Sequence, residues 1–184
     1  MNQPSLFNMY NQTKAGVVFD PKKGIEISKL FPVSETRDLN IIPYKYHIYP
    51  TGETHPFSDM ANNLKGSDFP FITSKSERGI KILKPMLSIH FDYPMITLQS
   101  LNEGNNTACI LFHKIVGRAF FKPPKGLTWQ ECERKYVFHH KDNKTWNYRV
   151  SNLEHIPQKQ NITGKKKKAS RKDVFEQAKI RGLV

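Results

Sequence analysis

The chain has only two cysteines, Cys109 and Cys132, and they form no Cys-x-x-Cys pair. Their scarcity excludes a disulfide framework and offers no cysteine zinc site. Long apolar runs are missing too: nothing approaches the roughly 20 residues that cross a bilayer. Residues 1–10 carry neither the basic stretch nor the apolar stretch of a secretory signal. A protein of a reducing cytoplasm, with no membrane partner, is therefore expected. Acidic residues are also few, 16 Asp and Glu against 29 Lys and Arg, which leaves a formal charge of +13 on 184 residues. What is present is enough to fold. Hydrophobic residues make up 38% and aromatic residues 11%, so the chain can bury a core, and its length suits one domain or two small ones.

The excess positive charge is concentrated. Residues 1–111 hold 11 basic and 10 acidic side chains, residues 112–156 hold 9 and 4, and residues 157–184 hold 9 and 2. A field of one sign on one part of a molecule attracts polyanions and steers them to whatever site lies there. Nucleic acid is the leading partner on this ground. The run Lys165, Lys166, Lys167, Lys168 with Arg171 and Lys172 reads either as a nucleic-acid contact or as a solvated tail.

Residues 1–45 show no sustained period and read as a loosely organised arm. Residues 44–49 are strand-like, and Pro50-Thr51-Gly52-Glu53 could close a hairpin. Residues 55–79 are rich in Ser, Asn, Gly and Asp and predict a long surface loop, with a short helix at 57–64. After Gly79 come three short β-type runs at 80–83, 93–98 and 107–111, which predict an antiparallel meander. Residues 111–121 have helical spacing instead, with Ile115, Val116, Ala119 and Phe120 on one side and Lys114 and Arg118 on the other. Pro123-Pro124 would end that helix.

Tyr136-Val137-Phe138 predicts a strand running into His139-His140, followed by a polar, turn-prone loop from Lys141 to Asn147. A second strand over 153–156 and a helix with Pro157 in its first turn, carrying Asn161, complete the outline. Side chains alternate along a strand, so the two histidines point to opposite faces. One can hold a metal while the other faces a reacting water.

His139-His140-Lys141-Asp142, then Asn152-Leu153-Glu154, then Asn161 resemble the His-Asn-His (HNH) endonucleases, particularly the phage and intron-encoded homing enzymes. Asn152 lies twelve positions after His140 and Asn161 nine after Asn152, a spacing that agrees with the family. Upstream, Leu83-Lys84-Pro85, Tyr93-Pro94, Ile96-Thr97-Leu98 and the run from His113 to Phe120 look like the strands and helix that precede the core in those enzymes. The resemblance covers about residues 80–164, nearly half of the chain.

The resemblance implies an α+β protein with a strand–strand–helix (ββα-metal) nuclease core, hydrolysing DNA to 5′-phosphate and 3′-hydroxyl ends. A phosphodiester repels its nucleophile, so water must be activated and developing charge stabilised. By resemblance His140 is the general base, and His139 and Asn161 hold one divalent ion. Asn152 joins the catalytic set by bonding across the loop and fixing how His140 points. Two departures matter. Close relatives often carry Asp where His139 stands, so the His/Asn pair brings no formal charge; Mg²⁺ affinity should be modest and Mn²⁺, Co²⁺ or Ni²⁺ could serve better. His155-Ile156-Pro157 replaces the usual aromatic residue and helix-capping Thr.

Of the remaining residues, Lys141, Lys144 and Arg149 sit on the active-site loop and are expected, with the basic tail, to contact double-stranded DNA. Trp146 and Tyr148 could stack on a base or brace the loop, and bracing is favoured. Asp142 could support a histidine or cap the loop, and capping is favoured. His113 is expected to be a hydrogen-bonded core histidine; His47, His55 and His90 have no assigned role. The expected division is an N-terminal arm and loop over 1–79, sheet and nuclease core over 80–164, and a basic tail over 165–184 with a short helix at 170–180. One active site per chain cuts one strand, so a monomer would nick and a homodimer could cut both strands. A DNA-binding or assembly protein that keeps the fold without the chemistry is the alternative, and RNA binding by the tail is a third reading.

Overall fold

The computed structural model describes residues 24–32, 39–50, 69–87, 93–102, 106–124 and 126–163, together with Glu176 alone in the C-terminal segment. The basic residues Lys165 to Lys168, Arg171 and Lys172, and nearly all of the helix expected over 170–180, lie outside them, as do the helix expected at 57–64, His55 and His90. Among the described residues no helix is long and apolar enough to cross a membrane.

The described chain is α+β, built from small antiparallel sheets and short helices. Strands β1 (Ile25–Glu26), β2 (Tyr46–Tyr49), β3 (Phe71–Ser76) and β4 (Gly79–Leu83) form one sheet in that order. Strands β5 (Met86–Leu87), β6 (Pro94–Gln99) and β7 (Thr107–Leu111) form a second. The last is a two-stranded hairpin of β8 (Tyr136–His140) and β9 (Leu153–Pro157). Among the described residues three α-helices accompany them: α1 (Phe112–Phe120), α2 (Trp129–Lys135) and α3 (Gln158–Thr163).

Several expectations are corrected. The surface loop expected over 55–79 gives way at Phe71 to β3, whose first four residues are buried. Its apolar start, Phe71-Ile72, supplies the burial that the Ser-rich composition of the stretch obscured. The meander expected after Gly79 is divided: β4 turns back on β3 in the first sheet, while β6 and β7 pair in the second. Strand β2 is present and pairs with β3, which begins at Phe71; residues 51–53 of the turn expected at 50–53 lie outside the described residues. Part of the N-terminal arm is core rather than loose, since Ile25, Ile27, Phe31 and Ile41 are buried. Burying these apolar groups offsets the entropy of fixing the segment.

Helix α1 is the centre of the molecule. Phe112, Ile115, Val116 and Ala119 join Ile48, Ile72, Leu98 and Leu153 in one apolar cluster that spans the three described sheets. Arg118, expected on the solvent side, is buried at 4% exposure. A buried guanidinium must be paired to be tolerated. Its Nε donates to Glu133 Oε1 at 2.8 Å, Nη1 donates to the Leu30 carbonyl at 2.7 Å, and the group lies over the Phe31 ring. Glu133 stands on α2, a helix that the sequence reading did not anticipate. Its start is a capping box in which the Thr128 hydroxyl accepts from the Glu131 N–H while the Glu131 carboxylate accepts from the Thr128 N–H.

Candidate functional site

The β8–β9 hairpin carries the site. Its register places His139 opposite Glu154 and His140 opposite Leu153. The pleat sends neighbouring residues to opposite faces, as expected for the two histidines. Phe138 and His140 share the face that meets α1, and the close approach is made possible by Gly117. A Cβ at that position would stand 2.2 Å from Phe138 Cζ.

His140 is 4% exposed. Its ring lies 5.2 Å from that of His113, edge to face, and 5.7 Å from that of Tyr93, which also touches His113 at 5.0 Å. Burial pushes the His140 imidazole down to about 4, against an opposing pull from the Asp142 charge. The ring is therefore neutral at physiological pH, well below the ordinary value near 6.5 that the free side chain has. His113 is buried as expected, and burial with the neighbouring His140 takes it down to about 3. The hydrogen bond expected for it is missing at one nitrogen: among the described residues neither His113 Nδ1 nor His140 Nε2 has a partner.

His139 sits on the other face with its side chain 26% exposed, and its Nδ1 lies 3.1 Å from Glu154 Oε1. Helix α3 packs against both strands of the hairpin and carries Asn161 as an exposed residue. The strand–strand–helix order of the segment is as expected, except that Pro157 closes β9 and the helix begins at Gln158. Among the described residues no three His, Cys, Asp or Glu side chains converge as a metal centre. Of the expected ligands, His139 offers an imidazole nitrogen on β8 and Asn161 an amide oxygen on α3, the helix packed against that strand; such a neutral N/O donor set could hold only an ion that keeps several waters.

Residues 141–152 are tied into a fixed loop by Asn152. Its Oδ1 accepts from the Asp142 N–H at 3.2 Å, and its Nδ2 donates to Asp142 Oδ1 at 2.9 Å and to the Asn147 carbonyl at 2.7 Å. Its own carbonyl accepts from the Lys141 N–H at 2.9 Å. Asp142 completes the lattice by accepting from the Lys144 N–H and from Asn147 Nδ2. Burial acts to raise the Asp142 carboxyl, but these donors outweigh it and hold the group below its usual range. Asp142 thus caps the loop, and Trp146 and Tyr148 brace it: both are buried, with Tyr148 against Phe112 and Phe69.

The basic side chains of the loop are placed around this lattice. Lys141 Nζ donates to the Ser151 carbonyl at 2.9 Å, Lys144 lies over the Trp146 ring, and Arg149 stacks on Phe69 at 3.7 Å while donating to Asn147 Oδ1. Tyr93, His113 and Glu154 are the neighbours of the histidine pair that sequence reasoning did not assign to the site. Only Glu154 had a readable signal: once His140 and Leu153 are paired as strand ends, His139 must face Glu154. No family model, no curated protein and no solved structure matches the chain.

Proposed function

We propose that the chain is a metal-dependent DNA endonuclease of the HNH type, with residues 136–163 as a ββα-metal core. The observation that carries this reading is the histidine pair at the end of β8. One imidazole is partly exposed beside a carboxylate, the other is buried and held neutral, and the loop that follows them is tied by Asn152. His139 and Asn161 would hold one divalent ion, which when bound neutralises charge on the scissile phosphate and the leaving 3′ oxygen.

The chain's own residues perform the rest. A neutral His140 has the lone pair needed to take a proton from water. Its low proton affinity makes it a weak base in the free protein. An arriving phosphodiester supplies negative charge next to the ring and favours its protonated form. Asn152 ties the loop to the strand end next to His140, which would help to keep the ring in line. Lys141, Lys144, Arg149 and the basic segment from Lys165 to Lys172 would carry the phosphate backbone of double-stranded DNA.

Supercoiled-plasmid relaxation with Mg²⁺ or Mn²⁺, with and without EDTA, tests this in the parent and in His140→Ala. Metal-dependent nicking that the substitution abolishes, with the circular dichroism spectrum unchanged, is the expected result. The deep burial of His140 against Tyr93 and His113 favours one second reading, a DNA-binding protein that keeps the fold without the chemistry. DNA binding with no cleavage under any of these metals would select it.

A further inference from the structure

We infer that Glu154 is the positioning residue that orients His139 toward a divalent ion, an inference that rests on the reading of the site as a metal nuclease. The two side chains are opposite each other in the hairpin register, and Nδ1 stands 3.1 Å from Oε1. A carboxylate only accepts hydrogen bonds, so His139 must carry its proton on Nδ1. The lone pair then belongs to Nε2, on the far side of the ring from Glu154. A carboxylate behind a ligating imidazole fixes the tautomer and ring orientation and makes the nitrogen a better ligand. It also supplies what the His139/Asn161 pair lacks, a formal negative charge, one residue removed from the ion. The pair is open enough for an ion to reach it, at 26% and 43% side-chain exposure.

A plain surface ion pair would have the same distance and little consequence, so the test must read tautomer and metal separately. Long-range proton–nitrogen NMR of the imidazole rings in the full chain, without metal, reports which nitrogen of His139 carries hydrogen. Mn²⁺ affinity is measured by the paramagnetic resonance of the free ion, in the parent, Glu154→Ala, Glu154→Gln and His139→Ala. The parent is expected to show the Nδ1–H form. Glu154→Ala should lose that preference and bind Mn²⁺ about 10- to 100-fold more weakly. Glu154→Gln, whose amide oxygen still accepts from Nδ1, should keep the tautomer and stay within a few-fold of the parent.

A Glu154→Ala chain with parental tautomer and affinity would overturn the inference and leave a surface pair. A Glu154→Gln chain that keeps the tautomer but loses as much affinity as the Ala variant would also overturn it, since Glu154 would then act as a ligand or bare charge. If His139→Ala binds Mn²⁺ as the parent does, the metal-site reading itself fails. That failure is visible apart from the tautomer result and takes the orienting role with it.

Discussion

At the scale of single residues the site depends on amide chemistry as much as on histidine. Asn152 uses both N–H donors and its Oδ1 within the loop, and the partner of one donor is the carboxylate of Asp142. An aspartate at this position would be nearly isosteric yet would present acceptors to two acceptors, one of them charged. Asn152→Asp is therefore expected to destabilise the protein by about 2 to 3 kcal/mol, the cost of leaving such groups unpaired. Urea denaturation measures this, and the nicking proposed for the chain should fall with it. A variant with parental stability would show that the loop does not depend on this amide. The bond of Asn152 across the loop was legible in the sequence, through a spacing of His140, Asn152 and Asn161 that a single chain displays. Tyr93 and His113 were not, because what brings them to His140 is packing between separate elements. Glu154 lay between these cases, readable only after the strand register was fixed.

Elements were legible where period and composition agreed. Strand β6 alternates buried Pro94, Ile96 and Leu98 with less buried Met95, Thr97 and Gln99, and α1 repeats apolar residues at helical spacing. Strand β3 was missed because only its first two residues are apolar, and α2 because a seven-residue helix with one buried position has almost no apolar period. Thr128 and Glu131 were the available signal for α2, in the capping spacing of Thr-x-x-Glu. The contact that orients the hairpin on the core was hidden as well. Gly117 would be an ordinary, mildly unfavourable helix residue were Phe138 not against its Cα. Gly117→Ala removes a helix penalty and adds a clash inside a close-packed core, and the clash dominates. A destabilisation of about 1 to 3 kcal/mol is expected. Phe138→Leu shortens the side chain that meets the new methyl group, so the double substitution should be more stable than the summed single effects predict. Strict additivity in thermal denaturation would mean that the helix and strand do not constrain each other here.

For the whole molecule, the feature that composition conceals is the state of its histidines. The formal charge of +13 counts all seven as neutral, and the fold enforces that assignment for those it buries. His47, His113, His140 and His155 are all shifted downward, in each case with burial as the largest cause. The folded chain thus refuses protons that the unfolded chain accepts from about pH 6.5 downward. Stability conferred by this refusal is complete above that value and is lost as pH falls toward about 4 for His140 and about 3 for His113. Stability rises with pH wherever the unfolded state binds more protons, at up to about 1.4 kcal/mol per pH unit for each group. The carboxyls held low, Glu26, Glu131 and Asp142, act in the same direction but only below their own ordinary values of 4.5 for Glu and 3.8 for Asp. Between pH 6.5 and about 5 the loss among the described residues therefore belongs to histidine. Urea titrations of the metal-free chain at intervals over that range should show stability falling steeply with acid. The slope in His113→Gln, a neutral side chain of comparable length, should be shallower by up to one proton. Parallel slopes in parent and variant would mean that His113 takes up its proton without unfolding the chain, and that the Tyr93–His113–His140 cluster tolerates charge within the core.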